Sequence, residues 1–94
     1  MAHYDEHVRD ARARVLSHDF DSARVCLEIA VKEDGRRPEA LNLLGVIEQV
    51  RGRTAEARTY WRMAVTLVPD YEPARENLRW AISNPRTRGA LALG

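Results

Sequence analysis

Ninety-four residues with 15 basic and 14 acidic side chains suffice for one domain with a modest core, and so balanced a charge lacks the basic excess that neutralises several phosphates, which excludes nucleic acid as an expected main partner. Cys26 is the only cysteine, leaving no disulfide framework and no paired-cysteine metal motif, in keeping with a reducing compartment. The uncharged stretch Leu41 to Ile47 is far too short to cross a bilayer, so a soluble, cytoplasmic protein without membrane contact is expected.

Apolar residues at Tyr4, Val8, Ala11 and Val15 follow helical spacing, with Asp5 and Glu6 early and Arg12 and Arg14 late, the charge order that suits a helix dipole. A first helix is predicted over Tyr4 to Leu16. Ser17-His18 breaks it, Asp19 or Asp21 can cap, and Ala23, Leu27, Ala30 and Val31 form the stripe of a second helix ending near Glu33. After the turn Asp34-Gly35-Arg36-Arg37, Pro38 suits a first helical position, where its missing N–H has no partner to lose. The third helix runs from about Pro38 to Val50. Gly52 is free to take a positive φ in the break Arg51-Gly52-Arg53, and Thr54 is the expected N-cap of a fourth helix reaching about Val68. Pro73 opens a fifth, which ends near Ser83 because Pro85 disfavours a helical Asn84. The domain is thus expected to occupy 1–84, with 85–94 a flexible tail in which only Leu91 and Leu93 are strongly apolar.

A shift of 34 residues lays this pattern on itself. Ala23-x6-Ala30 recurs as Ala57-x6-Ala64, Ala11 falls on Gly45, and Glu39-Ala40 on Pro73-Ala74. A fixed period of this size marks stacked repeats, each unable to bury its apolar face alone, with function on the surface that stacking creates. Between Pro38 and Tyr71, Leu41, Leu44, Gly45, Gly52, Ala57, Trp61, Ala64 and Pro69 stand at the spacing of large, Leu, small, turn Gly, Ala, aromatic, Ala and closing Pro. In this the chain resembles the tetratricopeptide repeat family. The physical sense is direct: Gly45 and Ala57 let two antiparallel helices approach, while Leu41, Leu44 and Trp61 fill the seam. Glu48 departs from the pattern, standing where the family usually carries Tyr. The unit 4–37 is degenerate, with His7, Asp10 and Arg14 at usually apolar positions and Gly35 in place of the closing Pro, and the unit after 71 stops after one helix near Ser83.

The resemblance implies an all-α, five-helix right-handed superhelix whose first, third and fifth helices line a concave groove that takes a peptide segment. It implies a groove of Val8, Arg9 and Arg12, then Asn42, Leu43, Val46, Gln49 and Val50, then Glu76, Asn77 and Trp80. The Lys and Asn clamp with which some members hold a carboxylate is not expected, since Val8, Arg12, Leu43, Pro73 and Asn77 stand at those positions, of which only Asn77 could serve and Arg12 is at best a substitute. Asn42 and Asn77 sit mid-helix, where Asn gains nothing from propensity; each can bond an incoming peptide backbone, remain solvated, or bond within the fold. Arg9 and Arg12 favour an acidic segment over a basic one. His3 and His7 have the i, i+4 spacing of a metal pair, but polar residues at a frayed helix end are the plainer reading, and no metal or cofactor is expected. Cys26 reads as a small packed hydrophobe. His18 has no nucleophile motif, phosphate loop or paired carboxylate near it, so catalysis is not expected. The expected role is a non-enzymatic adaptor or scaffold binding another protein. The alternative is a homodimer or larger assembly formed through Leu78, Trp80 and Ile82 on an imperfectly capped fifth helix.

Overall fold

The computed structural model describes residues 3–83 and 91–94, with the side chains of residues 82 and 83 outside the description. The described residues hold five α-helices and no strand: α1 (His3–Leu16), α2 (Phe20–Glu33), α3 (Glu39–Val50), α4 (Thr54–Leu67) and α5 (Glu72–Ser83). The fold is all-α. Helices α1 and α2 pack most extensively on each other, as do α3 and α4, and the two hairpins join through α2 on α3 and α1 on α3, with α5 laid on α4.

The 34-residue period is written in the backbone. At the end of α1 the Asp19 N–H donates to the Arg14 carbonyl at 2.8 Å, and His18 has φ 64°. At the end of α3 the Arg53 N–H donates to the Glu48 carbonyl, again at 2.8 Å, and Gly52 has φ 82°. Both are the left-handed helix stop that satisfies otherwise orphaned carbonyls. The next helix then starts from Asp19 at φ −91°, ψ 71° and from Arg53 at φ −93°, ψ 71°. Asp34 and Val68, also 34 apart, close α2 and α4 in extended conformation.

Small shifts from expectation have local causes. Asp19 caps α2, its carboxylate accepting from the Ser22 N–H at 3.4 Å. Thr54, expected to cap, is instead the first residue of α4, because the repeated turn puts Arg53 in the cap position, where it makes no side-chain cap bond. Pro38 likewise stands one place earlier than expected, at the cap of α3.

The seam of the second hairpin depends on one missing side chain. A Cβ built on Gly45 would lie 2.4 Å from the Trp61 Nε1, so the fully buried indole occupies the space a methyl would need. Trp61 also donates from Nε1 to the Asn42 carbonyl at 3.2 Å. Thirty-four residues earlier the corresponding positions hold Ala11 and Leu27, both fully buried. Helix α3 is buried continuously from Ala40 to Glu48, since other helices cover it on several sides, whereas α1 buries only Tyr4, Val8, Ala11 and Val15.

Glu48 is 2% exposed. Its carboxylate accepts from Arg24 at 3.0 Å and Arg53 at 3.5 Å, so α2 is tied to the end of α3 by an ion pair. Tyr4 makes a second tie: its hydroxyl accepts from the Ala40 N–H at 2.9 Å, and the Arg37 guanidinium lies over its ring at 4.4 Å. Burial pushes its pKa up to about 12.

On α5, Leu78 and Trp80 are half-buried against the core, and the side chain of Ile82 lies outside the described residues. The large apolar side chains left exposed include Val25 and Ile29 on α2 and Met63 and Leu67 on α4. Among the described residues no helix is long and apolar enough to cross a membrane.

Candidate functional site

Asn42 on α3 and Asn77 on α5 are 0% and 2% exposed, and they face each other. The Asn77 Nδ2 donates to the Asn42 Oδ1 at 2.9 Å. Both side-chain amides then meet one residue of the segment 91–94. The Ala92 carbonyl accepts from Asn42 Nδ2 and from Asn77 Nδ2, each at 2.9 Å, and the Ala92 N–H donates to Asn77 Oδ1 at 2.7 Å. One asparagine thus holds both backbone groups of a single residue while the other holds it in orientation. This recognises a backbone without reference to side chain. Unpaired, these buried amides would carry a desolvation penalty of about 1–3 kcal/mol per group.

On either side of Ala92, Leu91 and Leu93 are half-buried and packed against the core. Beyond them Gly94 forms part of the wall of a cleft of about 440 Å³, with Asp5, Val8, Arg9, Arg12, Glu39, Tyr71 and Pro73. The segment therefore passes from the asparagines of α3 and α5 to the arginines of α1. Arg37 pairs with Asp5 at 2.7 Å and with Glu39 at 3.5 Å, drawing on both carboxylates of the cleft. Arg9 and Arg12 have no ion-pair partner among the described residues. The Arg12 Nε and the Tyr71 hydroxyl are buried without a hydrogen-bond partner. Burial is the main cause that raises the Tyr71 pKa to about 12, with Glu39 adding to it and Arg12 opposing it.

Five of the residues expected to line a groove come together around this segment: Val8, Arg9 and Arg12 at the Gly94 end, and Asn42 and Asn77 at Ala92. Leu43 and Val46 are buried core residues. Gln49 and Trp80 are half-buried, Val50 and Glu76 are exposed, and none of the four bonds to the segment. Of the three roles open to the two asparagines, the structure places them in a bond within the fold, with the segment 91–94 of this chain as partner. The expected tail 85–94 falls partly outside the described residues, but its last four lie along the helices. The sequence reading missed Tyr71, which stands in the α4–α5 turn with no periodicity to mark it. It also missed the segment itself, whose signal was the alternation of Leu91 and Leu93 with small residues. An i, i+2 apolar pair suits an extended strand laid edge-down.

Elsewhere, the Cys26 thiol donates to Asp10 at 3.5 Å, and burial raises its pKa. His3 and His7 belong to no group of three or more metal-ligating side chains among the described residues. Comparison with protein-family models, curated proteins and solved structures gives no match.

Proposed function

We propose that this chain is a short tetratricopeptide-type right-handed superhelix acting as a non-enzymatic adaptor, which docks an extended segment of another protein across α1, α3 and α5. The observation that carries this reading is the hold of Asn42 and Asn77 on the Ala92 backbone. Two buried side-chain amides aimed at one residue's N–H and C=O give affinity through the main chain, and flanking apolar seats give selectivity through alternate side chains, as in other modes of extended-peptide recognition. The repeated backbone turns support the family part of the reading. The mixed cleft at Gly94, with two arginines beyond those carboxylates that Arg37 engages, favours an acidic residue in a partner after the part held by the asparagines.

The test is selection of random heptapeptides displayed on phage, run against the wild type and against Asn42→Ala/Asn77→Ala, with the variant's fold checked by circular dichroism. The reading expects peptides enriched on the wild type to lose at least tenfold in affinity on the variant. Enrichment of the same peptides by both, with equal affinity, would refute it.

A further inference from the structure

We infer that Leu91–Gly94 is a built-in occupant of the docking site, an intramolecular pseudo-ligand that a partner segment must displace. The inference rests on the docking reading above and adds the regulation of that site. Three observations carry it. The first is that the contacts are those of a bound ligand: Ala92 has its N–H and C=O both satisfied by Asn42 and Asn77 at 2.7–2.9 Å. The second is that Leu91 and Leu93 are half-buried against the core although they belong to no helix, so the segment brings its own apolar anchors. The third is that the fit is incomplete at the far end. Gly94 lines the cleft beside Tyr71, yet the Arg12 Nε and Tyr71 hydroxyl remain without partners, and Arg9 is exposed.

An occupant that leaves polar groups unsatisfied holds less tightly than one that completes them, because each buried unpaired donor keeps its desolvation penalty. A partner segment with the same small and apolar alternation, and with a polar side chain that bonds the Arg12 Nε and the Tyr71 hydroxyl, gains what the resident lacks. The resident's advantage is its tether: residues 84–90 join it to α5, and a short link gives an effective concentration in the millimolar range. Against an intrinsic dissociation constant of about 100 μM, that concentration fills the site for most of the time and weakens an outside ligand about tenfold or more. The tether thus sets a threshold for partner affinity.

The experiment uses the full chain with Leu91→Asp/Leu93→Asp, which removes the apolar anchors and leaves every helix residue unchanged. Amide exchange by NMR comes first. The Ala92 N–H is expected to be protected at least tenfold in the wild type relative to the variant, equally at 20 μM and 200 μM protein. Next, the capped peptide acetyl-Ala-Leu-Ala-Leu-Gly-amide is titrated into both, following the side-chain amide signals of Asn42 and Asn77. The variant is expected to bind it at least tenfold more tightly than the wild type. An unprotected Ala92, or equal peptide affinity for the two chains, would overturn self-occupancy and leave the docking reading standing. Protection that appears only at the higher concentration, together with a dimer mass by light scattering, would place the segment on a second copy and overturn the intramolecular form. Protection in the wild type with no peptide binding by the variant would make the segment a fixed part of the fold, overturning this inference and the docking reading together.

Discussion

The two helical hairpins share a backbone and differ in how they fill it. His18 and Gly52 turn the chain with φ 64° and 82°, and Asp19 and Arg53 start the next helix within a few degrees of each other. Into this common frame the first hairpin puts Ala11 against Leu27, and the second puts Gly45 against Trp61. The difference teaches that one backbone frame accepts either a small and a medium residue or no side chain and a large ring at its seam. It also ranks the hairpins: α3 is buried over Ala40 to Glu48, while α1 buries a single stripe. Damage in the second hairpin should therefore be the more costly.

The largest effect is expected where the volume is tightest. Gly45→Ala forces a methyl into the Trp61 ring and should cost about 3 kcal/mol. Trp61→Leu should cost about as much by leaving a cavity and the Asn42 carbonyl without its indole donor. Combined, the two changes reproduce the Ala11 and Leu27 pair of the first hairpin, and the double variant should be more stable than the sum predicts by at least about 1 kcal/mol. Urea unfolding of the four chains measures this; strict additivity would show that the seams are not equivalent.

The next effect is at the joint between hairpins. Arg24→Ala removes the nearer partner of a carboxylate that is 2% exposed and leaves it only Arg53 at 3.5 Å. Stranding a buried charge is strongly destabilising, and with one arginine remaining the loss should be about 2 kcal/mol. Glu48→Gln in the same background should recover part of it, because the amide is neutral. If Arg24→Ala alone unfolds at the wild-type denaturant midpoint, the ion pair contributes nothing to the joint.

These contrasts bear on what could be read from the chain. Five helices followed from the apolar stripes and the turn residues, because helical periodicity and proline or glycine punctuation are local properties. The Gly45 and Trp61 seam was legible because a small residue opposite a large one states its own partner. Asn42 and Asn77 stood out because a mid-helix asparagine has no local reason to be there. Leu91–Gly94 was not legible as part of the site. Its order depends on hydrogen bonds across |i−j| of 50 and 15 residues, and a sequence pattern carries no record of contacts that distant. Glu48 was seen as a departure, but that Arg24 answers it required the packing of α2 on α3.

Tyr4, buried, and Tyr71, half-buried, separate burial from bonding. Both have pKa values raised to about 12, mainly by burial. A raised phenol pKa contributes stability that is complete below the unfolded value near 10 and lost as pH climbs toward 12, so the melting temperature should fall between pH 10 and 12. In Tyr4→Phe and Tyr71→Phe that fall should shrink. At pH 7 the two variants should part company. Tyr4→Phe deprives the Ala40 N–H of its acceptor and should cost about 1–2 kcal/mol, whereas Tyr71→Phe removes a hydroxyl without a partner and should be neutral or slightly stabilising. Equal losses would show that both sites depend on ring packing alone.

The smallest expected effect tests the shared backbone itself, and it is a gain. His18 holds the left-handed conformation that its counterpart Gly52 adopts without a Cβ, a conformation that costs an ordinary L-residue about 1–2 kcal/mol. His18→Gly relieves that cost but loses the edge contact of the imidazole with Phe20, whose ring centroid is 5.7 Å away, and frees the unfolded chain. The balance should be a stabilisation of about 0.5 kcal/mol. Placing a histidine at Gly52 meets the same strain with no neighbour within 4 Å of its Cβ, and should destabilise by about 1 kcal/mol. Opposite signs at two positions 34 residues apart would mean that one turn serves both hairpins and that the first carries strain the second avoids. Equal signs would mean that side-chain contacts outweigh the turn.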